Sequence, residues 1–288
     1  AAPALGATAT PAPPFQFLRE DMRGTSPKVI VRDSRGLEWR VKGGLEARPE
    51  AFATRLVAAM GYIVKSSVFM KAGKIEGVTA GLRRASGFVS PDGTFTYASF
   101  ELVDPEVRFL EESWTWEDSP FSRTPELDGL KILVMLVSNW DNKDARDVGK
   151  GSNTSIIEKG SGAAARRYHI VNDWGQSLGS WGRLWSGFGG RQPWSCEAFS
   201  RQTLVTGLDG DKVQFGYAGQ HTTDFKQGIT VADVRWLMGR LGRVSEAQIR
   251  AGLRASGATP QEENCFTRAL RSRIDQLRGV AEESNARR

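Results

Sequence analysis

The sequence predicts an α+β protein in which a strand-rich N-terminal part precedes a mainly helical C-terminal part. β-type runs dominate the first hundred residues, whereas capped segments with helical apolar spacing dominate after residue 124. With 288 residues and 40% apolar content, the chain can bury two cores joined by a cleft. We expect a tail over residues 1–14, a β-rich lobe with one helix over 15–115, and a mainly helical lobe over 116–288.

The N-terminal part begins with a predicted hairpin that places a lysine at a strand end. KVIVRD and LEWRVK flank the turn SRG over residues 28–42, so Lys42 ends the second strand. PEAFATRLVAAMG then predicts a helix, because Pro49 suits the first helical position and Gly61 the stop. Glu50 lies in the first turn of this helix, within reach of Lys42 as an ion pair. YIVKSSVFM and TFTYASFEL predict further strands.

The C-terminal part is predicted to follow a linker over residues 104–124. Thr124 caps an apolar helix, ELDGLKILVMLVSNW, and Asp141 comes directly after it. NTSIIEK and RRYHIVND flank GSGAAA as a second hairpin, with Asp173 at its end, and DWGQSLGSWGRLWSGFGG predicts a loop. Three more helices are predicted from Ser/Thr caps with a polar partner three residues on, namely Thr230 with Asp233, Ser245 with Gln248, and Thr259 with Glu262.

Four residues in this outline match the groups that phosphoryl transfer requires. The reaction needs a cation on the nucleotide phosphates, an acid that holds that cation in place, a carboxylate near the acceptor hydroxyl, and carboxylates for Mg²⁺. Lys42, Glu50, Asp141 and Asp173 offer these groups in that order.

The segments around these residues resemble a known family. VKGGLEARPEAFATRLVAAMGY is similar to the lysine strand and following helix of HipA-like kinases. SNWDNKDARD resembles the catalytic loop that those enzymes share with phosphatidylinositol kinases and eukaryotic protein kinases, and DWG stands where kinases have DFG. The chain also resembles a group of bacterial proteins with the same EARPE, NWD and D-x-G segments. This resemblance extends from about Phe15 to the C-terminus and brings no established substrate.

The resemblance implies a two-lobed kinase-like fold and a phosphotransferase that uses ATP with Mg²⁺ or Mn²⁺. Lys42 would contact the ATP phosphates, and Glu50 would orient Lys42. Asp141 would accept or orient the proton of the acceptor, with Lys143 beside the transferred phosphate and Asp173 on the metal. The acceptor would be an unidentified protein or small-molecule hydroxyl.

One departure from the kinase pattern concerns the second metal ligand. Kinases place a metal-binding Asn five residues after the catalytic Asp, and here that residue is Arg146, whose guanidinium repels Mg²⁺. Asp147 or Asn142 could supply the missing oxygen, as could Asn153. If none does, the chain is a one-metal enzyme or a catalytically inactive nucleotide-binding pseudokinase or scaffold.

A second departure is the lack of a GxGxxG cover for the phosphates, since the turn SRG offers only Gly36. HipA-like and lipid kinases also lack that pattern. The long interval from Asp141 to Asp173 is explained by the GSGAAA hairpin.

A serine hydrolase is the least favoured alternative. GQSLG matches GxSxG, with Ser177 as nucleophile and His221 further along the chain. A nucleophile elbow passes from a strand into a helix, and the glycine-rich residues after Ser177 do not predict that helix.

Several aromatic residues are expected to be structural. We expect the tryptophans of the glycine-rich stretch to anchor it, with a ligand platform as the alternative; they are Trp174, Trp181, Trp185 and Trp194. His169 alternates with apolar residues in YHIV and is expected to pack within a strand.

Composition excludes some classes of site and leaves others open. Cys196 and Cys265 lack metal-ligand spacing and the chain has two histidines, so a structural zinc site is not expected, while a disulfide stays open. No apolar run is long enough to span a membrane. Residues 235–288 hold eleven of the arginines that produce the net charge of +6, and we interpret them as a solvated surface without nucleic-acid binding. The Ala/Pro-rich start suits an exported protein, with the cytoplasm as the alternative, and the oligomeric state stays open.

Overall fold

The first five strands form a closed barrel in the computed structural model, which describes residues 9–286 except 23, 25, 79, 80 and 182–191. The order around the barrel is β1-β2-β3-β5-β4, and a parallel pairing of β1 with β4 closes it. The strands are β1 (Phe15–Glu20), β2 (Lys28–Arg32), β3 (Glu38–Gly43), β4 (Ser67–Glu76) and β5 (Thr94–Leu102). The predicted hairpin over residues 28–42 is confirmed, whereas β1 was not predicted.

Alternation along β3 separates the barrel core from a polar face. Trp39 and Val41 are buried inside the barrel, where they pack with Phe100 of β5. Since successive side chains of a strand point to opposite faces, Arg40 and Lys42 lie on the outer face. This face meets the C-terminal part of the chain.

One helix, α1 (Ala47–Ala59), packs across β4 and β5. It begins two residues before the predicted Pro49, a shift that the first turn tolerates because its N–H groups have no partner within the helix. Gly61 ends it as predicted, with a φ of 91° that favours glycine.

A second sheet follows the barrel. It consists of β6 (Val107–Phe109), β7 (Thr154–Lys159) and β8 (Arg166–Val171), in that order. The predicted hairpin around GSGAAA is confirmed as β7 and β8. The linker prediction over residues 104–124 missed β6, which is only three residues long and has no buried residue.

The remainder of the chain is mainly helical. The central helix α2 is buried from Leu127 to Leu136, and Thr124 caps it as predicted. The predicted caps at Thr230, Ser245 and Thr259 are also present. The helices are α2 (Pro125–Leu136), α3 (Cys196–Ser200), α4 (Thr222–Lys226), α5 (Val231–Leu241), α6 (Glu246–Ala255) and α7 (Pro260–Ala286), and an unpredicted hairpin joins β9 (Val205–Asp209) to β10 (Lys212–Phe215).

A buried arginine on α7 holds the end of α2. Arg273 is 3% exposed, and its Nη1 donates to the carbonyl of Leu136 and to Ser138 Oγ, both at 2.8 Å. Its Nη2 donates to the carbonyl of Phe199 at 2.9 Å, and the guanidinium lies 3.7 Å from the centre of the Phe199 ring. The negative end of the α2 dipole favours this cation.

The two cysteines form a disulfide that joins α3 to α7, a pairing that the sequence left open. Among the described residues, no helix has the length and apolar character needed to cross a membrane.

We expect Arg273→Met to lower the free energy of unfolding by about 3 kcal/mol, because buried carbonyl oxygens would lose their donors. Urea denaturation measures this change. Arg268→Met, on an exposed position of the same helix, is the matched control and should stay within about 0.5 kcal/mol of the native protein. A loss below about 1 kcal/mol in Arg273→Met would contradict the assigned role.

Candidate functional site

The polar face of the barrel and the loops after α2 and β8 enclose a cleft of about 360 Å³. Of the four charged residues predicted for the site, Lys42, Asp141 and Asp173 line the cleft, and Glu50 is the ion-pair partner of Lys42. Most of the lining is polar or charged, and it comprises Asp21, Gly24, Ser26, Lys28, Arg40, Lys42, Glu46, Lys65, Phe109, Asp141, Lys143, Gly151, Ser152, Asn153, Asn172 and Asp173.

Lys42 and Glu50 form the predicted ion pair. Lys42 Nζ lies 2.9 Å from Glu50 Oε1, and Ser99 Oγ donates to Glu50 Oε2 at 3.2 Å. Burial alone would lower the pKa of Lys42, but the charges of Glu50 and Asp173 outweigh it and raise this pKa above its ordinary value. Lys42 therefore stays positively charged on the outer face of the barrel, where it lines the cleft.

Asp173 lies opposite Lys42, in the loop after β8. Its Oδ1 accepts a hydrogen bond from the N–H of Gly175 at 2.9 Å, and Asn139 Nδ2 donates to its carbonyl at 2.9 Å. Burial would raise the pKa of Asp173, but Lys42 and the Gly175 N–H lower it below its ordinary range. The carboxylate is thus held in its charged form.

Asp141 lies in the loop that follows α2. Its Oδ2 is 3.4 Å from Lys143 Nζ, and its Oδ1 is buried without a hydrogen-bond partner among the described residues. A buried carboxylate oxygen without a donor is costly, so this atom is suited to accept a hydrogen bond from a ligand.

Asn153 joins the loops that carry the two aspartates. Its Nδ2 donates to the carbonyl of Asp141 at 2.5 Å, and its own carbonyl accepts from the N–H of Asn172 at 2.7 Å. Because Nδ2 is engaged, Oδ1 is the atom that remains for a cation. Asn172 Oδ1 is buried and has no hydrogen-bond partner among the described residues. Together with Asp173, these amide oxygens are the hard ligands that Mg²⁺ and Mn²⁺ prefer, so the residues present fit such a cation.

The other two predicted metal ligands do not line this cleft. Asn142 Oδ1 accepts from the N–H of His221 at 2.9 Å, and Asp147 Oδ2 lies 2.6 Å from His221 Nε2. Both side chains are therefore directed at the segment before α4. Asp144, Asp147 and His221 bring three potential ligand atoms close together, but Arg146 already supplies a cation there.

Arg146 is turned away from the cleft. Its guanidinium binds Asp144 at 2.6 Å and Glu117 at 3.0 Å, and it also binds Asp224. The expected repulsion between Arg146 and a metal in the cleft is thus avoided. Asn153 lines the cleft, whereas Arg146 does not.

Two residues between β1 and β2 that sequence reasoning missed belong to the cleft lining. Gly24 and Ser26, between β1 and β2, line the cleft together with Lys28 at the start of β2. Gly36, the glycine of the predicted SRG turn, lies between β2 and β3 and is not among the lining residues. Without β1 assigned, the sequence offered no hairpin at this place.

Arg40, Lys65 and Lys28 add positive charges to the lining of the cleft. Glu101 pairs with Arg40 at 2.5 Å and with Lys65 at 3.1 Å. Burial would raise the pKa of Glu101, but these cations lower it to about 2. Burial and the nearby charge of Lys42 lower the pKa of Lys28 to about 8.

The hydrolase alternative finds no support in the geometry. Ser177 Oγ is buried and has no hydrogen-bond partner in the described part of the chain, and His221 is bound to Asp147. Trp174 and Trp194 are buried in the helical core, which confirms the anchoring prediction for these two, while Trp185 lies outside the described residues. His169 packs between Trp114 and Phe121, as expected of a strand histidine.

Solved structures share this arrangement of elements. The proinflammatory kinase CtkA of Helicobacter pylori matches with a TM-score of 0.51 at 12% identity, over 95% of this chain and 99% of that one. The chain has a protein-kinase-like fold. At this identity the likeness concerns the fold alone, and the resemblance to HipA-like and phosphatidylinositol kinases stays a prediction.

Two further structures are similar at lower scores. The Golgi casein kinase matches with a TM-score of 0.46 at 9% identity, over 96% of this chain and 73% of that one. The same kinase with Mn and ADP bound matches with a TM-score of 0.42 at 10% identity, over 96% and 74%. No family model and no curated protein sequence matches the chain.

We expect the Lys28 amine to titrate near pH 8, whereas the pKa of Lys42 should lie above the ordinary value for lysine. The folded chain holds the Lys28 proton more weakly than the unfolded chain does. The charged form of Lys28 therefore lowers the free energy of unfolding at pH values below 8. This destabilisation disappears as the pH rises toward 10.5. The ¹³Cε shifts of lysine-labelled protein report both values, with Lys28→Arg as the assignment control. A Lys28 midpoint near 10.5 would contradict the assignment.

Proposed function

We propose that this protein is a Mg²⁺- or Mn²⁺-dependent phosphotransferase that moves the γ-phosphoryl group of ATP to a hydroxyl group. The observation that carries the proposal is the convergence of Lys42, Asp141 and Asp173 on one cleft of a kinase-like fold, with Glu50 bound to Lys42. The nucleotide would bind between two lobes, the barrel with α1 and the helical region.

Lys42 and Lys28 would bind the phosphates of ATP, since both amines face the cleft from neighbouring strands. Glu50 would keep Lys42 in place through their ion pair. The loop with Gly24 and Ser26 would cover the phosphates from above. Positioning and charge neutralisation supply most of the rate in such reactions.

Asp173 and Asn153 would hold the divalent cation, with Asn172 Oδ1 as a third oxygen. When bound, the cation would neutralise charge on the transferred phosphoryl group. This assignment replaces Asn142 and Asp147, whose side chains face His221.

Asp141 would accept or orient the proton of the acceptor hydroxyl through its unpartnered Oδ1. Lys143, 3.4 Å from the other carboxylate oxygen, would bind the phosphoryl group as it leaves ATP. The acceptor is a protein or small-molecule alcohol.

The proposal predicts Mg²⁺-dependent binding and turnover of ATP by the native protein. Asp173→Ala should weaken Mg·ATP binding about tenfold or more and abolish turnover. Asp141→Asn should bind Mg·ATP within about threefold of the native protein and lower kcat by about 10²- to 10⁴-fold. Titration calorimetry and ADP release measure these changes. No nucleotide binding by the native protein would refute the proposal, and ATP binding without turnover would support a binding protein instead. Native turnover in Asp141→Asn would contradict the role given to Asp141.

The choice of metal ligand is tested by a matched asparagine pair. Asn153→Ala should raise the Mg²⁺ concentration needed for half-maximal ATP binding about tenfold, because a cation oxygen is lost. Asn142→Ala should leave that concentration within about twofold, because its side chain binds His221. A tenfold rise in Asn142→Ala with no rise in Asn153→Ala would assign the metal-ligand role to Asn142 instead.

We also propose that the protein works in an oxidising compartment, as an exported protein does. The support is the Cys196–Cys265 disulfide, because such bonds persist outside the reducing cytosol. Thiol titration of denatured protein, isolated from its native source without reductant, should find no free thiol. Two free thiols would favour the cytoplasm.

A further inference from the structure

Glu46 brings a further carboxylate to the cleft. It immediately precedes α1, in the N-cap position, where a side chain commonly binds the first N–H groups of the helix. Glu46 makes no such bond, and its side chain lines the cleft instead. Glu46 has no role in the phosphoryl transfer proposed for this protein.

Two hydrogen bonds orient the Glu46 carboxylate. Ser26 Oγ, from the β1–β2 loop, donates to Oε2 at 3.3 Å, and Gln176 Nε2 donates to Oε1. Each carboxylate oxygen has a second lone-pair site, so both can still bind a cation. Hydrogen bonds of this kind orient metal ligands in proteins.

Gly175 allows Glu46 to approach Asp173. A Cβ atom at residue 175 would lie 2.7 Å from Glu46 Cβ, too close for any larger residue. Glu46 Cγ and Asp173 Oδ1 are each 3.2 Å from that same point. The Glu46 side chain and the Asp173 carboxylate therefore border the same small space beside Gly175.

Neither Glu46 nor Asp173 makes an ion pair within 4.0 Å in the part of the chain that the structure describes. Lys42, Lys65 and Lys143 act on Asp173 from a greater distance. Lys42 is itself bound to Glu50 at 2.9 Å.

We infer that Glu46 is a second carboxylate ligand of the divalent cation that Asp173 holds. The inference rests on the proposed function and extends its metal site to the barrel side of the cleft. Mg²⁺ and Mn²⁺ take carboxylate oxygens readily, and a divalent cation would balance the two negative charges. The cation would then connect the start of α1 with the loop after β8, so metal binding would draw the two sides of the cleft together.

Mn²⁺ binding, followed by electron paramagnetic resonance with and without ADP, tests the inference directly. Glu46→Gln should weaken Mn²⁺ binding about tenfold or more, because the amide retains the shape and loses the charge. Its affinity for ADP without metal should equal or exceed that of the native protein. Glu46→Lys should lose Mn²⁺ binding and show a raised Tm, because an amine beside Asp173 would replace the cation.

Asp147→Asn is the matched control from the acidic group beside His221, and it should bind Mn²⁺ within about twofold of the native protein. Native Mn²⁺ affinity in Glu46→Gln would overturn the inference while leaving the proposed function intact, provided that Asp173→Asn loses binding. Weaker metal-free ADP binding together with a lowered Tm in Glu46→Gln would also overturn it, as the signs of a purely structural role. Failure of the native protein to bind Mn²⁺ and ADP would instead refute the proposed function.

Discussion

The buried ion pair between Lys42 and Glu50 is the interaction on which the arrangement of the site depends. Each charge alone would cost several kcal/mol to bury, so the two residues stabilise the fold only together. Because Lys42 belongs to β3 and Glu50 to α1, the pair fixes the helix relative to the barrel face. Glu46 lies one turn before Glu50, so the same constraint sets its position at the cleft.

Features encoded by neighbouring residues were predictable from the sequence. The capping boxes at Thr230 and Ser245, the left-handed Gly61 and the β7–β8 hairpin all depend on contacts within a few residues. Two of the missed strands have distant partners. β1 closes the barrel against β4, and β6 pairs with β7, about fifty residues further along the chain. β6 is only three residues long, too short to show a periodic pattern.

The same distinction applies to the site. A strand end followed by the first turn of a helix is local geometry, and it placed Lys42 and Glu50 correctly relative to each other. The kinase spacing places the second metal ligand five residues after Asp141, and that spacing assumes the kinase loop conformation. It therefore did not single out Asn153, whose side chain lines the cleft. Here residues 145–150 form a 3-10 turn that carries Arg146 outward, and the chain returns to the cleft over residues 151–153. The course of this loop depends on its packing against α4, and that packing cannot be read from the sequence.

The long C-terminal helix has a consequence for where this chain can be shortened. Besides Arg273, α7 contributes Gln276, whose side chain accepts from the N–H groups of Leu204 and Val205, and Glu262, which binds Arg48 of α1. A single helix thus supports the end of α2, the start of β9 and the barrel side of the molecule. A version of the protein cut before Pro260 would retain every residue that lines the cleft and would still lose the frame that holds them, so α7 belongs to the minimal folding unit.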